Sequence, residues 1–591
     1  MTMILLALLA SPWLPAADWQ QRVHYTIEAR LDESREVLVG AATLVYRNNS
    51  PEILDRLYFH LHLNAFRPNS KWAEVERRQN LDFQALLDPD YGYERLAAVR
   101  VGGQELQPTY PGAPDSVVVM VALPDPVLSG ESVTVELEWE ARSSTLCRRQ
   151  CRRGRSYDFA QWYPRVAPYD AGGWAQHTLY PQGEFYGEYG TYDVTLDLPV
   201  DQIVGATGVP IEGDPGWTPA AGSPRSVPAY EREWYEERLE PASPGTLAGE
   251  PAAGRKRVRF YAEDVHHFAW STSPDYIYEG VLHEVEPGRD VAIHVLYRPG
   301  DEGDWGSGTA TERTAAALDF LGDLFGPYPY PQLTNLHRLE GGGTEFPMVI
   351  MDGDAGAGLI MHETAHQYAH GILGNNEWKE AWLDEGMASF LGSWAFEEAN
   401  PGSWTSLREG LAPAEQSLGD QPIATVSEDF PDFQTYGYMA YTRPQFIYYM
   451  LREHLGEATF REVLRTYYDR FRFRHVTAED LMEVTEEVSG ESLGWFFETW
   501  WYTTATLDYG LGEIALEEQS DGTWKTTVEV LRRGEAWMPV TLQVGDQFVK
   551  LDSRDARQVV EVESDSRPAA IKLDPDRVLL DSDPTNDERA P

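Results

Sequence analysis

His362 and His366 stand four residues apart in LIMHETAHQYAHG, a segment with helical apolar spacing. Four residues of α-helix turn through about 400°, so the two imidazoles project from one face, one turn apart. Two nitrogen donors placed in this way suit a single zinc ion. Glu363 projects beside them, where a carboxylate can take the proton of a water at the metal. Catalytic zinc needs a third protein ligand and an open fourth position. Glu385 is the candidate, after eighteen intervening residues beyond His366 in a second helix-like run, EAWLDEGMASFLGSWAF. Between the runs, GILGNNEW supplies glycines and asparagines for a turn that folds the second run back on the first. Packed or hydrogen-bonded histidines are the alternative reading of such a pair. His370, a further turn along, is read that way, as structural and outside the ligand set.

The stretch from His362 to Phe390 resembles the zinc-binding core of the aminopeptidase N family, the gluzincins that include leukotriene hydrolase. That family's pattern is HExxH, eighteen residues, then Glu within WLxEG, and His362, Glu363, His366 and Glu385 match it. Asp384 replaces the Asn usual in WLNEG. GGGTEFPMV resembles the family's GxMEN motif, with Gly342, Gly343, Thr344, Glu345 and Phe346 at its five positions; Thr344 and Phe346 depart from it. The resemblance implies that Glu345 binds a free α-amine and that Gly342 and Gly343 let the strand pair with a peptide backbone. YTRPQFIYYMLREHLGEATF resembles the family's YxKG segment, with Arg443 and Pro444 where Lys and Gly are usual. By that match Tyr441 stabilises the oxyanion, with Tyr436, Tyr438 and Tyr448 as alternatives. The family's N-terminal domain lends a Gln or Glu to the amine site, and Gln161 in DFAQWYPRVAPYD is the candidate.

The resemblance thus implies a zinc aminopeptidase with one catalytic Zn2+ ion, Glu363 as general base, and peptides with a free N-terminus as substrates. An open cleft would make it an endopeptidase or a broader peptidase instead. A third reading is a catalytically silent binding protein of the same fold. It predicts damage to the ligands or the base, and all of them are intact.

Elements that would position these residues are also legible. Period-two alternation runs from Val23 to Leu198, in HYTIEARL, VLVGAATLVYRN, SVTVELEWEA and YDVTLDLP. TERTAAALDFLGDLFG reads as an amphipathic helix after the strand VAIHVLYRP. Helical patterns dominate from Tyr436 to Thr499, and alternation returns in TTVEVLRRG, VTLQVGD and RQVVEVE. The expected fold is multidomain α+β. An antiparallel β domain spans 18–262, with a Pro/Gly-rich insertion near 205–254, and a catalytic α/β domain spans 263–505. A small β domain spans 506–582 and a disordered acidic tail 583–591. The resemblance makes the first domain a β saddle and the second thermolysin-like.

Composition narrows the partners. A formal net charge of −47 over 591 residues argues against nucleic acid, which needs a basic footprint. The lysines are only Lys71, Lys256, Lys379, Lys525, Lys550 and Lys572, a balance compatible with high salt. Residues 1–17 form an apolar run ending in small residues, as in a secretory signal peptide, so a secreted or periplasmic location is expected. No apolar run is long enough to span a bilayer comfortably. Cys147 and Cys151, the only cysteines, can close a small local disulfide in an exported protein.

Overall fold

The computed structural model describes residues 19–79, 83–218 and 251–590, so the expected leader and residues 219–250 of the insertion lie outside the described residues. The chain divides into two compact units: residues 1–378 with 464–483, and residues 379–463 with 484–591.

In the first unit, β1 (Arg22–Asp32), β2 (Val37–Arg47), β3 (Tyr93–Val101), β4 (Gln104–Glu105), β5 (Ser132–Arg142), β6 (Gly190–Pro199), β7 (Val209–Glu212) and β8 (Arg255–Val265) form one sheet. Its order is β7-β8-β6-β1-β2-β5-β3-β4. The alternation does what it predicts. In β1, Val23, Tyr25, Ile27, Ala29 and Leu31 are buried on one face. Gly40 in β2 is required because the Trp139 indole of β5 lies where its Cβ would stand.

Neighbours pair antiparallel except β1 with β6, which run parallel, Val23 opposite Gly190. The sequence pattern does not reveal this pair, because alternation reports a face and not a strand's direction. β7 also falls inside the stretch expected to be loop, and it is held by pairing with β8.

A second sheet leads into the helix that carries His362. It contains β9 (Ile277–Glu286), β10 (Arg289–Tyr297), β11 (Gln332–His337) and β12 (Val349–Asp352), in that order. β9 and β10 are antiparallel, while β10, β11 and β12 are parallel. Parallel neighbours need a crossover. α1 (Thr309–Leu324) provides it between β10 and β11, and α2 (Ala357–Ala365), which carries His362, follows β12 and packs on both α1 and β12.

The second unit begins with helices around an aromatic core. Trp382 stacks on Trp501 at 4.2 Å and Trp404 on Tyr449 at 4.3 Å. Phe390 of α3 (Met387–Ala399) meets Tyr448 of α4 (Arg443–Leu455) at 5.8 Å. Seven strands follow: β13 (Tyr509–Glu518), β14 (Trp524–Arg532), β15 (Val540–Val544), β16 (Gln547–Leu551), β17 (Arg557–Ser564), β18 (Ile571–Leu573) and β19 (Glu588–Arg589). They make the sheets β13-β14-β17 and β16-β15-β18-β19.

β19 corrects the expectation of a disordered tail. Its backbone completes the β18 edge, Lys572 meets Glu588 at 3.0 Å, and Asp587 is buried against Arg408 at 3.3 Å. The segment lacks apolar anchors but supplies these polar ones. Among the described residues, no helix is long and apolar enough to cross a membrane.

Candidate active site

His362 and His366 are joined by a helical bond, His366 N–H to His362 C=O at 3.2 Å. The pair lies on one face as the spacing requires. Their Nε2 atoms are 3.1 Å apart and their rings meet edge to face, 4.6 Å between centroids. His366 is buried, and its Nδ1 lies 3.3 Å from the Ala369 carbonyl. A carbonyl there holds the proton on Nδ1 and leaves the Nε2 lone pair facing His362. Glu363 is buried too, and its carboxylate lies directly over Gly343, where any Cβ would collide with it. Glycine at 343 is therefore a steric condition for the position of the base.

Gly342, at φ +72°, turns the GGG segment so that Thr344 and Met351 exchange backbone bonds of 3.0 and 2.9 Å. Gly353 N–H reaches the Gly342 carbonyl at 2.8 Å. This places Glu345, 7% exposed, on a segment fastened to β12. Gln367, the residue after the second histidine, fastens it to α2 as well. Its amide oxygen accepts from Met348 N–H at 2.8 Å, and its NH2 group donates to the Phe346 carbonyl at 3.1 Å. The sequence reading passed over Gln367; a glutamine following HExxH directly was the available signal.

One further charged residue, Arg149, was not foreseen. Cys147 and Cys151 form a disulfide, and the loop they close carries Arg149. Arg149 pairs with buried Glu184 and reaches 4.0 Å from Glu345. Its backbone N–H donates to Glu340 at 2.8 Å. Gln161 is 4% exposed, has φ +56°, and its amide atoms have no hydrogen-bond partner among the described residues.

In the second unit, Glu385 sits in a wide helical turn, Trp382–Gly386, and Tyr441 in another, Tyr438–Thr442. The Tyr441 hydroxyl donates to the Glu385 carboxylate. The two turns run close because Gly386 has no side chain: a Cβ there would stand 2.7 Å from Pro444. Arg443 pairs with buried Glu415 at 2.8 Å. Tyr438 donates to the same carboxylate at 2.6 Å, and burial raises its pKa. Tyr436 and Tyr448 are fully buried. Of the four tyrosines, Tyr441 is the one hydrogen-bonded to the candidate ligand. Asp384 is buried.

His362 and His366 lie in the first unit and Glu385 in the second, and all three are residue types that ligate zinc. Two imidazoles and a carboxylate fit zinc and leave a coordination position open.

Residues 350–500 match the Peptidase family M1 domain. The chain is 23% identical to aminopeptidase 2, mitochondrial, of Saccharomyces cerevisiae over 39% of this chain and 26% of that protein. It is 30% identical to aminopeptidase M1-B of Oryza sativa subsp. japonica over 24% of this chain and 17% of that one. It spans about a quarter of the length of the curated relatives it matches.

Among solved structures, an M1 zinc metallopeptidase from Deinococcus radiodurans aligns with TM-score 0.57 and 17% identity over 82% of this chain and 94% of that one. Legionella pneumophila aminopeptidase A aligns with TM-score 0.66 and 13% identity over 94% and 59%. These likenesses concern the fold. The family match itself rests on residues 350–500, about a quarter of the chain.

Proposed function

We propose that this protein is a zinc-dependent aminopeptidase, secreted or periplasmic, that removes N-terminal residues from peptides. The observation that carries the reading is the pair of imidazole nitrogens 3.1 Å apart, inside the segment that matches the M1 domain. His362, His366 and Glu385 would hold the ion. When bound, zinc supplies Lewis-acid chemistry, polarising a carbonyl and lowering the pKa of water.

The rest falls to the chain's own residues. Glu363 takes the proton of the attacking water and passes it to the leaving amine. The Tyr441 hydroxyl donates to the oxygen that becomes negative as the carbonyl is attacked. Glu345 holds the substrate ammonium, which an internal peptide bond lacks, so the cut is exopeptidic. Gly342 and Gly343 leave the backbone open to pair with the peptide, and Gln161 offers an amide to the amine site.

The test is hydrolysis of aminoacyl-anilides and their N-acetylated counterparts by wild type and Glu345→Ala. Turnover of the free-amine set alone, lost on chelation and crippled in the variant, is the expected result. Equal turnover of acetylated substrates would replace this reading with the endopeptidase.

A further inference from the structure

Among the buried imidazoles of the first unit that the proposed chemistry does not use, three cluster together. His266 and His267 follow β8, and His370 lies four residues past His366; they are 2, 2 and 4% exposed. Each offers one nitrogen to a set lying within 4.8 Å of one another. The His266 ring stands 4.3 Å from that of His370 and 4.7 Å from that of His267.

Two of the three are already held as metal-binding imidazoles are. Such a histidine gives its second ring N–H to a carboxylate or a backbone carbonyl, which fixes the tautomer and aims the remaining lone pair. His266 Nε2 lies 3.0 Å from the His370 carbonyl, so its proton sits there and Nδ1 keeps the lone pair. His370 Nδ1 lies against the fully buried Glu377 carboxylate. Glu377 is itself fixed by Phe185 N–H at 2.7 Å.

His267 supplies the independent observation. Its ring is buried, and its Nδ1 faces His266 Nδ1 at 2.5 Å. Two ring nitrogens this close need a proton or a cation between them. The backbone at His370 adds to the case, with φ 139° and ψ −61°, a conformation L-residues rarely adopt and that only surrounding contacts hold.

We infer that His266, His267 and His370 form a second, structural metal site for a borderline divalent ion of the zinc kind, with Glu377 orienting His370. Three imidazoles beside a carboxylate suit zinc, cobalt, nickel or copper rather than calcium or magnesium. Ligand distances near 2.0–2.1 Å would open the His266–His267 nitrogen pair to about 3.3 Å. Arg165, whose field reaches His267, opposes added positive charge, and Glu377 offsets it. The ion would staple the backbone break at His370, immediately after the helix that carries His362, to the end of β8.

The test is metal content of the purified protein by mass spectrometry. Wild type should hold two ions per chain, and His362→Ala/His366→Ala one. His267→Gln should also hold one, with its chelator-sensitive activity drawing on the other site. Glu377→Gln, which keeps the side chain's shape, should weaken Co2+ binding in the His362→Ala/His366→Ala background by about 10–100-fold. Co2+ in that background should give a tetrahedral absorption band that the further change His267→Gln removes.

A His362→Ala/His366→Ala variant that holds no metal while its circular dichroism stays native overturns the site. Should that variant not fold, chelation of wild type decides. Loss of activity with one ion retained supports the site, and a single ion, or two lost together, overturns it. A single ion kept in His362→Ala/His366→Ala and lost in His267→Gln would instead leave the staple standing and remove the proposed zinc chemistry.

Discussion

The Glu363 carboxylate rests directly on the backbone of Gly343, with no space for a Cβ between them. The residue placed as the base thus depends on a glycine twenty residues earlier in the chain. Gly343→Ala should push Glu363 aside while leaving His362 and His366 in place. A displacement near 1 Å in such a group costs about 100-fold in rate. The expected result is a kcat/KM lower by about that factor, with bound zinc unchanged. A fully active Gly343→Ala enzyme would mean that Glu363 is not the base.

Tyr441 gives its hydroxyl proton to Glu385, so it either supports the candidate ligand or acts on substrate directly. Tyr441→Phe separates the two roles. An oxyanion donor is worth roughly 10²–10³ in kcat. The prediction is a loss of that size in kcat, little change in KM, and zinc content equal to wild type. A variant that loses zinc in step with activity would make Tyr441 a positioning residue for Glu385.

The zinc helix and its neighbours were legible because their signal is local. HExxH puts two ligands on one helical face, and GGG before Glu345 marks close backbone approach. The alternation of β1 and β2 marks one buried face. What escaped is carried by long-range contact. The parallel β1–β6 pairing joins strands far apart in the chain, Arg22–Asp32 and Gly190–Pro199, and neither strand's pattern encodes direction. Arg149 meets Glu345 across nearly two hundred residues, from a loop whose sequence, CRRQC, announces only a disulfide. His370 reads as one more turn of helix, yet its backbone leaves the helix there.

That disulfide loop carries a prediction of its own. Arg149 lies between Glu184, which is fully shielded from water, and Glu345. Removing one partner of a buried ion pair strands the other charge, at a cost on the order of 3 kcal/mol. Arg149→Ala should lower the urea midpoint accordingly and raise KM for free-amine substrates, since Glu345 loses the group beside it. Arg149→Lys keeps the charge but loses the planar fork, and should recover part of both. Cys147→Ser/Cys151→Ser should raise KM in the same direction with a smaller loss of stability. Unchanged KM in all three variants would detach the loop from the amine site.

The C-terminal sheets carry a pH dependence whose sign follows from two buried carboxyls. Burial raises Asp581 to about 6, and burial with the nearby Asp581 charge raises Asp587 to about 7, although Arg408 pulls both down. An unfolded aspartate titrates near 3.8, so between about pH 4 and 7 the folded state holds protons that the unfolded chain does not. Stability contributed by these groups is therefore greatest below the unfolded value, falls as pH rises through 6 and 7, and is flat above. Wild type should melt several degrees higher at pH 5.5 than at pH 7.5, a difference on the order of 1 kcal/mol. The large acidic excess pushes in the same direction, so the decisive measurement is the difference between wild type and Asp587→Asn. The variant, unable to lose that proton, should keep a smaller slope over the same range; an identical slope would place the pH dependence in the surface charge alone.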